Sequence, residues 1–178
     1  FLKKERYICK YDDLNNLPAI FEEEESQEGK EQAGDLKDYF QQFKITERSS
    51  KLLSCSWKNR IYEYITLPFG FAGSPYIAQN THVWIAKHMW MKHRIRMNIY
   101  MDDFLAIGDR KQIIKAYNDF GLKINETKSK FDLKIEEDIA YLGVLVNLKF
   151  RHFRMKEDKA RKMIKDITKL EELLIKGS

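Results

Sequence analysis

The stretch NIYMDDFLAIG, residues 98–108, places two adjacent carboxylates inside an otherwise apolar run. If the residues on either side form the two strands of a hairpin, Met101, Asp102 and Asp103 occupy its tip. Both carboxylates then emerge at one edge of a sheet. A buried, unpaired carboxylate is too costly to stay ionised, so the pair requires a raised pKa, a basic partner or a metal ion. The simpler alternative is a turn exposed to water, because Asp is a common turn former.

A third carboxylate, Asp35, precedes an amphipathic run in AGDLKDYFQQFKI, residues 33–45. Hard divalent cations prefer oxygen ligands, and two of them about 3.5–4 Å apart can stabilise the attacking and leaving oxygens of a phosphoryl transfer. Three carboxylates suffice to hold such a pair of ions. The spacing alone does not bring Asp35 next to Asp102, because a long intervening segment allows many folds.

Length and composition indicate one compact domain or two small lobes, with 178 residues, 43% hydrophobic residues and a net charge of +5. No apolar run approaches the ~20 residues of a membrane span, and the first residues lack the apolar stretch of a signal peptide. Cys9 and Cys55 are too few for a disulfide framework. We therefore expect a reduced intracellular protein, cytoplasmic or nuclear, without a membrane partner. The positive charge favours a polyanionic partner.

The hydrophobic pattern predicts helices that alternate with antiparallel strand pairs, and therefore an α+β domain. Residues 1–21 favour short strands, whereas the polar residues 22–34 favour a helix end or a loop. The further predicted elements are a hairpin with strands at 52–57 and 61–67, helices at about 75–93 and 110–120, a strand region at 139–150 and a terminal helix at 157–176.

Several segments together resemble the reverse transcriptase family. YMDDFLAIG is similar to its Tyr-X-Asp-Asp motif, and DLKDYFQQFKI to its first carboxylate motif. LPFGFAGSPYIAQ resembles the segment under the template and incoming nucleotide, and GLKINETKSK with YLGVLV resembles the lysine motif and the primer grip. Agreement of several motifs in the family's order is much more specific than one four-residue match. LPFG points to retrotransposon enzymes, of the long-terminal-repeat or tyrosine-recombinase type.

The resemblance implies a fold and a division of the chain. The fold is α+β, a reverse-transcriptase palm in which an antiparallel sheet packs on helices, with truncated fingers and the start of a thumb helix. Residues 1–34 would be partial fingers and linker. Residues 35–150 would be the palm, with a fingers hairpin at about 50–67, and residues 151–178 a terminal helix leading towards a thumb.

The resemblance also implies an enzyme, an RNA-directed DNA polymerase. This nucleotidyltransferase would add nucleotides from dNTP to a primer 3′-hydroxyl on an RNA or DNA template. Two Mg²⁺ ions, which Mn²⁺ can replace, would lower the pKa of that hydroxyl and stabilise charge on the triphosphate. The implied metal ligands are Asp35, Asp102, Asp103 and the backbone carbonyl of Leu36. The implied catalytic residues are the same three aspartates and Lys128, which would protonate or neutralise the departing pyrophosphate.

Further residues are implied around the nucleotide and the primer. The nucleotide-binding residues would be Lys4, Arg6, Phe40, Phe69, Gly70 and Lys128, and the primer grip would be Tyr141, Leu142 and Gly143. Phe40 falls where the family keeps an aromatic ring that excludes a 2′-hydroxyl, and it equally suits a core position. Gly70 is expected because a side chain would obstruct a close backbone approach. Lys128 equally suits a solvated surface position, and the primer-grip residues equally suit a plain strand edge.

Three departures from the family pattern favour a second class of function. Polar residues, EGKEQAG, precede Asp35 where the family has an apolar strand, and Tyr39 stands where the family usually has a small residue. Few residues separate Gly108 from Gly121, where the family has a longer helix. The alternative is a catalytically degenerate or domesticated domain that acts as a nucleic-acid-binding or scaffolding module. Its partners, like those of an active enzyme, could include further polyprotein domains, a thumb and an RNase H domain, which we do not expect within this chain.

Overall fold

The structure is a computed structural model that describes residue 17, residues 30–134 and residues 136–176, and for residues 173–176 the backbone alone. The chain forms two compact units, one ending at Lys134 and the other beginning at Ile135. The predicted palm instead extends to residue 150, and the assignment of fingers, palm and thumb stays a prediction. The strands predicted in residues 1–21 lie outside the described residues, Leu17 apart.

Both units combine antiparallel strands with helices, which agrees with the predicted α+β class. In the first unit the elements are β1 (Glu31–Asp35), a short 3-10 helix (Tyr39–Gln42), α1 (Glu47–Leu52), β2 (Ser54–Trp57), β3 (Arg60–Glu63), α2 (Gly73–His93), β4 (Met97–Tyr100), β5 (Asp103–Ile107), α3 (Arg110–Asp119) and β6 (Lys130–Leu133). In the second unit they are β7 (Ile139–Tyr141), β8 (Val144–Asn147), β9 (His152–Met155) and α4 (Glu157–Lys176). No helix of the described residues is long and apolar enough to cross a membrane.

A four-stranded antiparallel sheet, ordered β4-β5-β1-β6, forms the centre of the first unit. The expectation of a loop or helix end at residues 22–34 is wrong for Glu31 to Gly34, which belong to the buried strand β1. Neighbouring backbone groups satisfy the buried side chain of Gln32 in this strand. The side chain of Gln32 donates to the carbonyl of Gly108 at 3.0 Å and accepts from the N–H of Asp132 at 2.9 Å.

Helix α2 presents one buried stripe, formed by Ala78, His82, Ile85 and Met89, which recur every three or four residues. The helix predicted at about 75–93 is confirmed, and it begins slightly earlier, at Gly73. It ends where Arg94 adopts a left-handed conformation, with φ of +58°. This stripe packs with residues of the sheet and of α3 into one hydrophobic core, which includes Ile99, Phe104, Ala106, Ile113, Ala116 and Tyr117.

The predicted hairpin between residues 52 and 67 is present as β2 and β3, which are joined by Lys58 and Asn59. Both turn residues have positive φ, as a two-residue hairpin turn that follows the strand twist requires. All residues of both strands are exposed.

In the second unit, β7, β8 and β9 form a three-stranded antiparallel sheet, and α4 confirms the predicted terminal helix. Several apolar side chains of α4 are exposed, namely Met163, Ile164, Ile167 and Leu170.

Candidate active site

Three carboxylates meet at one edge of the central sheet. Asp35, the last residue of β1, pairs directly with Asp103, the first residue of β5. Residues opposite each other in such a pair have Cβ atoms about 4.5–5.5 Å apart. Asp102 immediately precedes Asp103, and its carbonyl accepts a hydrogen bond from the N–H of Leu36 at 2.8 Å. The fold therefore brings Asp35 next to Asp102 and Asp103, from which it lies far apart in the sequence.

The turn that carries these acids is shorter than predicted. Tyr100 pairs with Asp103, so only Met101 and Asp102 form the tip of the β4–β5 hairpin. The prediction that Asp103 also lies in the tip is wrong, because the hydrogen-bonded ladder continues up to it. Asp103 is thereby fixed in a strand, whereas Asp102 sits in the turn itself.

Burial and neighbouring negative charges raise the pKa of both Asp102 and Asp103. Burial raises the pKa of Asp103 to about 6, and the negative charges of Asp102 and Asp35 add to this rise. Burial also raises the pKa of Asp102, and Asp35 adds to this effect through its charge and through a side-chain hydrogen bond. The cluster therefore carries more negative charge than its surroundings compensate.

Within the part of the chain that the structure describes, Lys128 is a cation that faces the cluster. Its Nζ lies 3.8 Å from Oδ2 of Asp35, and its charge lowers the pKa of both Asp102 and Asp103. The lysine side chain is 67% exposed, whereas that of Asp35 is 17% exposed. Because water screens so exposed an ammonium, this ion pair alone does not neutralise three carboxylates.

Two residues that the sequence did not single out hold Lys128 near Asp35. The N–H of Asn125 donates to the carbonyl of Asp35 at 2.7 Å, and the hydroxyl of Ser129 accepts from the N–H of Asp35 at 3.2 Å. Ser129 closes this short segment by donating its own N–H to the carbonyl of Asn125 at 3.0 Å. Both lie in GLKINETKSK, so their place in the lysine motif was the available signal.

The donor set suits a hard divalent cation in its chemistry. Carboxylate oxygens are the ligands that Mg²⁺ prefers, and Mg²⁺ usually keeps several waters or takes ligands from substrate phosphates. As placed, no group of three or more His, Cys, Asp or Glu side chains in the described part of the chain is arranged to hold a metal ion. Binding would therefore require these carboxylates to turn towards a common point.

Two of the residues predicted to bind nucleotide lie in contact. The rings of Phe40 and Phe69 meet edge to face, with centroids 5.1 Å apart. Phe40 is 8% exposed and belongs to the hydrophobic core, whereas Phe69 is 72% exposed. Gly70 has φ of +84°, and an added Cβ would meet no atom of the protein within 4 Å. Within the protein itself, the backbone conformation, and not a close contact, requires glycine at this position.

The sequence matches the family described as "Reverse transcriptase (RNA-dependent DNA polymerase)" over residues 23–146. The chain belongs to this family. A search of curated proteins gave no significant match. The antiparallel palm-like sheet that was predicted from the motifs agrees with this membership, whereas the predicted retrotransposon type is not tested by it and stays a prediction.

Solved structures of foamy viral protease-reverse transcriptase resemble this reverse transcriptase domain in fold. The complex with an RNA/DNA hybrid has a TM-score of 0.62 and 18% sequence identity, and the match covers 75% of this chain and 18% of that one. The complex with double-stranded DNA has a TM-score of 0.61 and 19% identity, covering 75% and 28% of the two chains. The matched region is thus less than a third of either viral chain.

The predicted primer grip of the reverse transcriptase domain is a tight turn and not a plain strand edge. Tyr141 pairs with Val144, so Leu142 and Gly143 form a two-residue turn between β7 and β8, both with positive φ. Tyr141 is buried at 4% exposure. The amino group of Lys159 donates to the carbonyl of Gly143 at 3.3 Å. Contact of this turn with a primer stays a prediction.

Lys4 and Arg6, predicted to contact the triphosphate, lie outside the described residues. Their roles stay predictions.

A buried polar network behind the carboxylate turn was missed by the sequence analysis. Gln79 and His82 of α2 bond to the backbone of Met101, and Tyr117 of α3 bonds to His82. His82 is completely buried on the apolar stripe of α2. A polar residue at a helical position otherwise occupied by apolar side chains was the signal that could have identified it.

Proposed function

We propose that this reverse transcriptase domain catalyses nucleic-acid-templated DNA synthesis by two-metal transfer of a nucleotide from dNTP to a primer 3′-hydroxyl. The observation that carries the proposal is the convergence of Asp35, Asp102 and Asp103 at one sheet edge, with Lys128 as their nearby cation. Such a cluster of carboxylates is unfavourable for the fold by itself, so its value lies in what it binds.

Asp35, Asp102 and Asp103 would hold two divalent ions, with the backbone carbonyl of Leu36 as a further oxygen ligand. When bound, Mg²⁺ or Mn²⁺ supplies Lewis acidity, which activates the primer hydroxyl and stabilises charge on the triphosphate. Because its pKa is raised to about 6, Asp103 is ionised at neutral pH and can act as a ligand. The chain itself therefore provides a cluster of negative charge at one sheet edge.

Lys128 would act on the leaving group. Its ammonium group is largely exposed and faces the carboxylate cluster from the loop before β6. In that position it can donate a proton to the departing pyrophosphate, or neutralise it by charge alone. Lys4 and Arg6 would bind the triphosphate, as the family resemblance implies.

Phe40 and Phe69 would shape the nucleotide pocket. The ring of Phe40 is held by the core on one side and by Phe69 on the other. A ring fixed in this way can exclude a 2′-hydroxyl without moving. Gly70 would allow the incoming nucleotide to approach the backbone closely, since no side chain projects there.

The partners of this reaction would be an RNA or DNA template with its primer, and dNTP. Solved relatives in complex with an RNA/DNA hybrid and with double-stranded DNA support the choice of nucleic acid. Tyr141, Leu142 and Gly143 would contact the primer as a grip. An intracellular location, cytoplasmic or nuclear, remains part of the proposal.

The alternative, a degenerate domain that binds nucleic acid without catalysis, depends on the departures from the family pattern. One of them counts less against catalysis because the residues from Glu31 to Gly34, directly before Asp35, form a buried strand. The large residue Tyr39 also counts less against catalysis, because its side chain is buried and packs against Phe40 and Phe43. The short helix α3 remains a departure.

Primer extension on a primed template, measured against Mg²⁺ concentration, tests the proposal. The assay would use this chain and a longer chain that includes its flanking sequence, because the domain corresponds to a minor part of its solved relatives. We expect Asp35→Asn and Asp102→Asn to abolish extension. Asp119→Asn, which removes an exposed carboxylate paired with Lys115, is the matched control and should keep full activity.

Full extension by either active-site variant would contradict the proposal. Template binding without extension by the unaltered protein in both forms would favour the degenerate alternative.

A further inference from the structure

The turn that carries Asp102 depends on an unusual residue. Met101 has φ of +55°, a left-handed conformation that side chains other than glycine adopt at a cost in energy. Such a conformation persists only where the surrounding structure stabilises it. The two peptide groups of Met101 are indeed both bonded to buried side chains of helix α2.

Gln79 holds the turn on one side. Its side-chain oxygen accepts the N–H of Met101 at 2.8 Å, and its side-chain nitrogen donates to the carbonyl of Ile99 at 3.3 Å. Gln79 is 1% exposed. One amide group therefore binds both the end of β4 and the turn that follows it.

His82 holds the turn on the other side. Its Nδ1 lies 2.7 Å from the carbonyl oxygen of Met101, which can only accept a hydrogen bond. Nδ1 therefore carries the proton. Burial lowers the pKa of His82 to about 4, so the ring is neutral at physiological pH and its Nε2 is an acceptor.

Tyr117 completes the network by fixing the tautomer of His82. Its hydroxyl lies within hydrogen-bond distance of Nε2, and because Nε2 is unprotonated, the hydroxyl must donate. The aromatic rings of Tyr39, Phe104 and Tyr117 surround the imidazole, which limits its rotation. Tyr117 thus donates a hydrogen bond to His82, and His82 donates one to the backbone carbonyl of Met101.

We propose that Gln79 and His82, the latter oriented by Tyr117, are positioning residues that fix the strained turn so that Asp102 faces Asp35 and Asp103. The inference rests on the proposed function, because the turn needs this precision only if its carboxylates act together. Buried polar side chains are costly unless they are fully bonded, and apolar residues would fill the same space on the helix stripe. A purely packing role does not account for three hydrogen bonds that all end on the same hairpin.

The test compares variants that keep or remove single bonds. Gln79→Met removes both bonds to the hairpin at similar volume. His82→Asn keeps a donor near the position of Nδ1 but is too short to reach Tyr117, whereas His82→Gln reaches towards Tyr117 and loses the donor to Met101. Tyr117→Phe removes only the hydroxyl and keeps the ring. His93→Asn, at the end of the same helix and outside the network, is the matched control.

The first readout does not depend on catalysis or on metal. Amide hydrogen exchange of Met101, Asp102 and Asp103 reports how tightly the turn is held. We expect exchange at least tenfold faster in Gln79→Met and His82→Gln, a smaller acceleration in His82→Asn and Tyr117→Phe, and none in His93→Asn. Long-range ¹⁵N–¹H spectra should show a protonated Nδ1 in His82 and a changed Nε2 shift in Tyr117→Phe.

The second readout is Mn²⁺ binding, measured by electron paramagnetic resonance, together with the Mg²⁺ concentration that gives half-maximal extension. In Gln79→Met and His82→Gln, the dissociation constant for Mn²⁺ and the Mg²⁺ concentration at half-maximal extension should both rise severalfold. Affinity for the primed template should stay unchanged. If the network had a merely structural role, the variants would have a lower melting temperature, but their Mn²⁺ affinity and their Mg²⁺ requirement would be unchanged.

Folded variants with unchanged exchange in the turn overturn the inference. Accelerated exchange with unchanged metal dependence in an active protein also overturns it, because the turn then does not need to be held for the carboxylates to act. If the unaltered protein neither binds Mn²⁺ nor extends primers, the proposed function fails, and the exchange data alone decide whether the network holds the turn. Tyr117→Phe keeps the test decisive if a larger change prevents folding.

Discussion

Asp35 and Asp103 stand directly opposite each other in the register of β1 and β5. Like charges in this arrangement destabilise an antiparallel pair, and here Asp102 adds a third negative charge next to them. Burial raises the pKa of Asp103 and of Asp102, and the negative charges of the neighbouring carboxylates add to both rises. Proteins accept such local conflicts mainly at functional sites, which is why this opposition identifies the candidate active site.

The first prediction concerns the pH dependence of stability. The pKa of Asp103 rises from 3.8 to about 6 on folding, so the folded state binds its proton more tightly than the unfolded state. The cost of ionising Asp103 is therefore absent below pH 3.8, grows as the pH rises towards 6 and is fully present above it. We expect Asp103→Asn to be more stable than the unaltered protein at about pH 7.5, with the difference vanishing near about pH 4. Urea unfolding of the two proteins in metal-free buffer, at each pH, measures this difference in stability.

Asp119→Asn is the control for this experiment, because it should change stability at neutral pH in the opposite direction. A hydrogen bond from Lys115 lowers the pKa of Asp119, so removing this carboxylate should slightly reduce stability at neutral pH. If Asp103→Asn is destabilised at neutral pH and stabilised in acid, the raised pKa of Asp103 is wrong.

The second prediction concerns the charge of Lys128. Because this ammonium lowers the pKa of both Asp102 and Asp103, Lys128→Met should raise both values, and that of Asp103 should exceed 6. Carbon-13 NMR titration of the carboxyl groups measures this directly. Lys111→Met, which changes an exposed lysine near the start of α3, should leave both values unchanged. In an active protein we also expect a lower kcat, since the leaving group loses its cation.

The third prediction concerns the close packing of β1 against β5. A Cβ at Gly34 would clash with the ring of Phe104, which is completely buried. We expect Gly34→Ala to destabilise the protein by about 1–3 kcal/mol, as overpacking of a core does. Thermal or urea unfolding measures the loss.

A second substitution distinguishes this clash from a backbone effect. Phe104→Leu removes the ring atoms that the new methyl group meets, so the double variant should lose less stability than the two single variants together. Strict additivity would show that the Phe104 ring does not cause the effect.

The fourth prediction concerns substrate choice. If the Phe40 ring excludes a 2′-hydroxyl, Phe40→Ala should incorporate ribonucleotides more readily relative to deoxyribonucleotides. The ring is buried, and its removal should cost about 3–5 kcal/mol of stability, so incorporation must be compared well below the melting temperature. Phe43→Ala, which removes a neighbouring ring that also packs on Tyr39, is the control. Unchanged selectivity in an active Phe40→Ala protein would refute the role of Phe40.

The fifth prediction concerns binding without chemistry. The net charge of +5 favours a polyanionic partner, and if this partner is the proposed primed template, affinity for it should fall steeply as salt rises. Each phosphate neutralised contributes a slope of about −0.9 in a plot of log affinity against log salt concentration. Fluorescence anisotropy over a series of salt concentrations measures this slope. A slope near zero would exclude a phosphate-backbone interface.

The sequence by itself determined the elements whose pattern is local. Helix α2 follows from apolar residues at every third or fourth position, with Pro75 in its first turn. The terminal helix follows from the same periodicity, and the hairpin around Asp102 from two apolar runs that flank two acids. The ordered motifs also indicated the family. These features can be derived from sequence because neighbouring residues alone define them.

Only the tertiary structure decided which residues complete the site. Strand β1 has a polar sequence, EQAGD, that favours no strand locally. It is stable because Gln32 bonds to backbone groups 76 and 100 residues away, and because Gly34 leaves room for the Phe104 ring. The opposition of Asp35 and Asp103 follows from that pairing. The support of the turn by His82 likewise depends on Tyr117, 35 residues further along the chain, and no periodicity in the sequence encodes a contact over that distance.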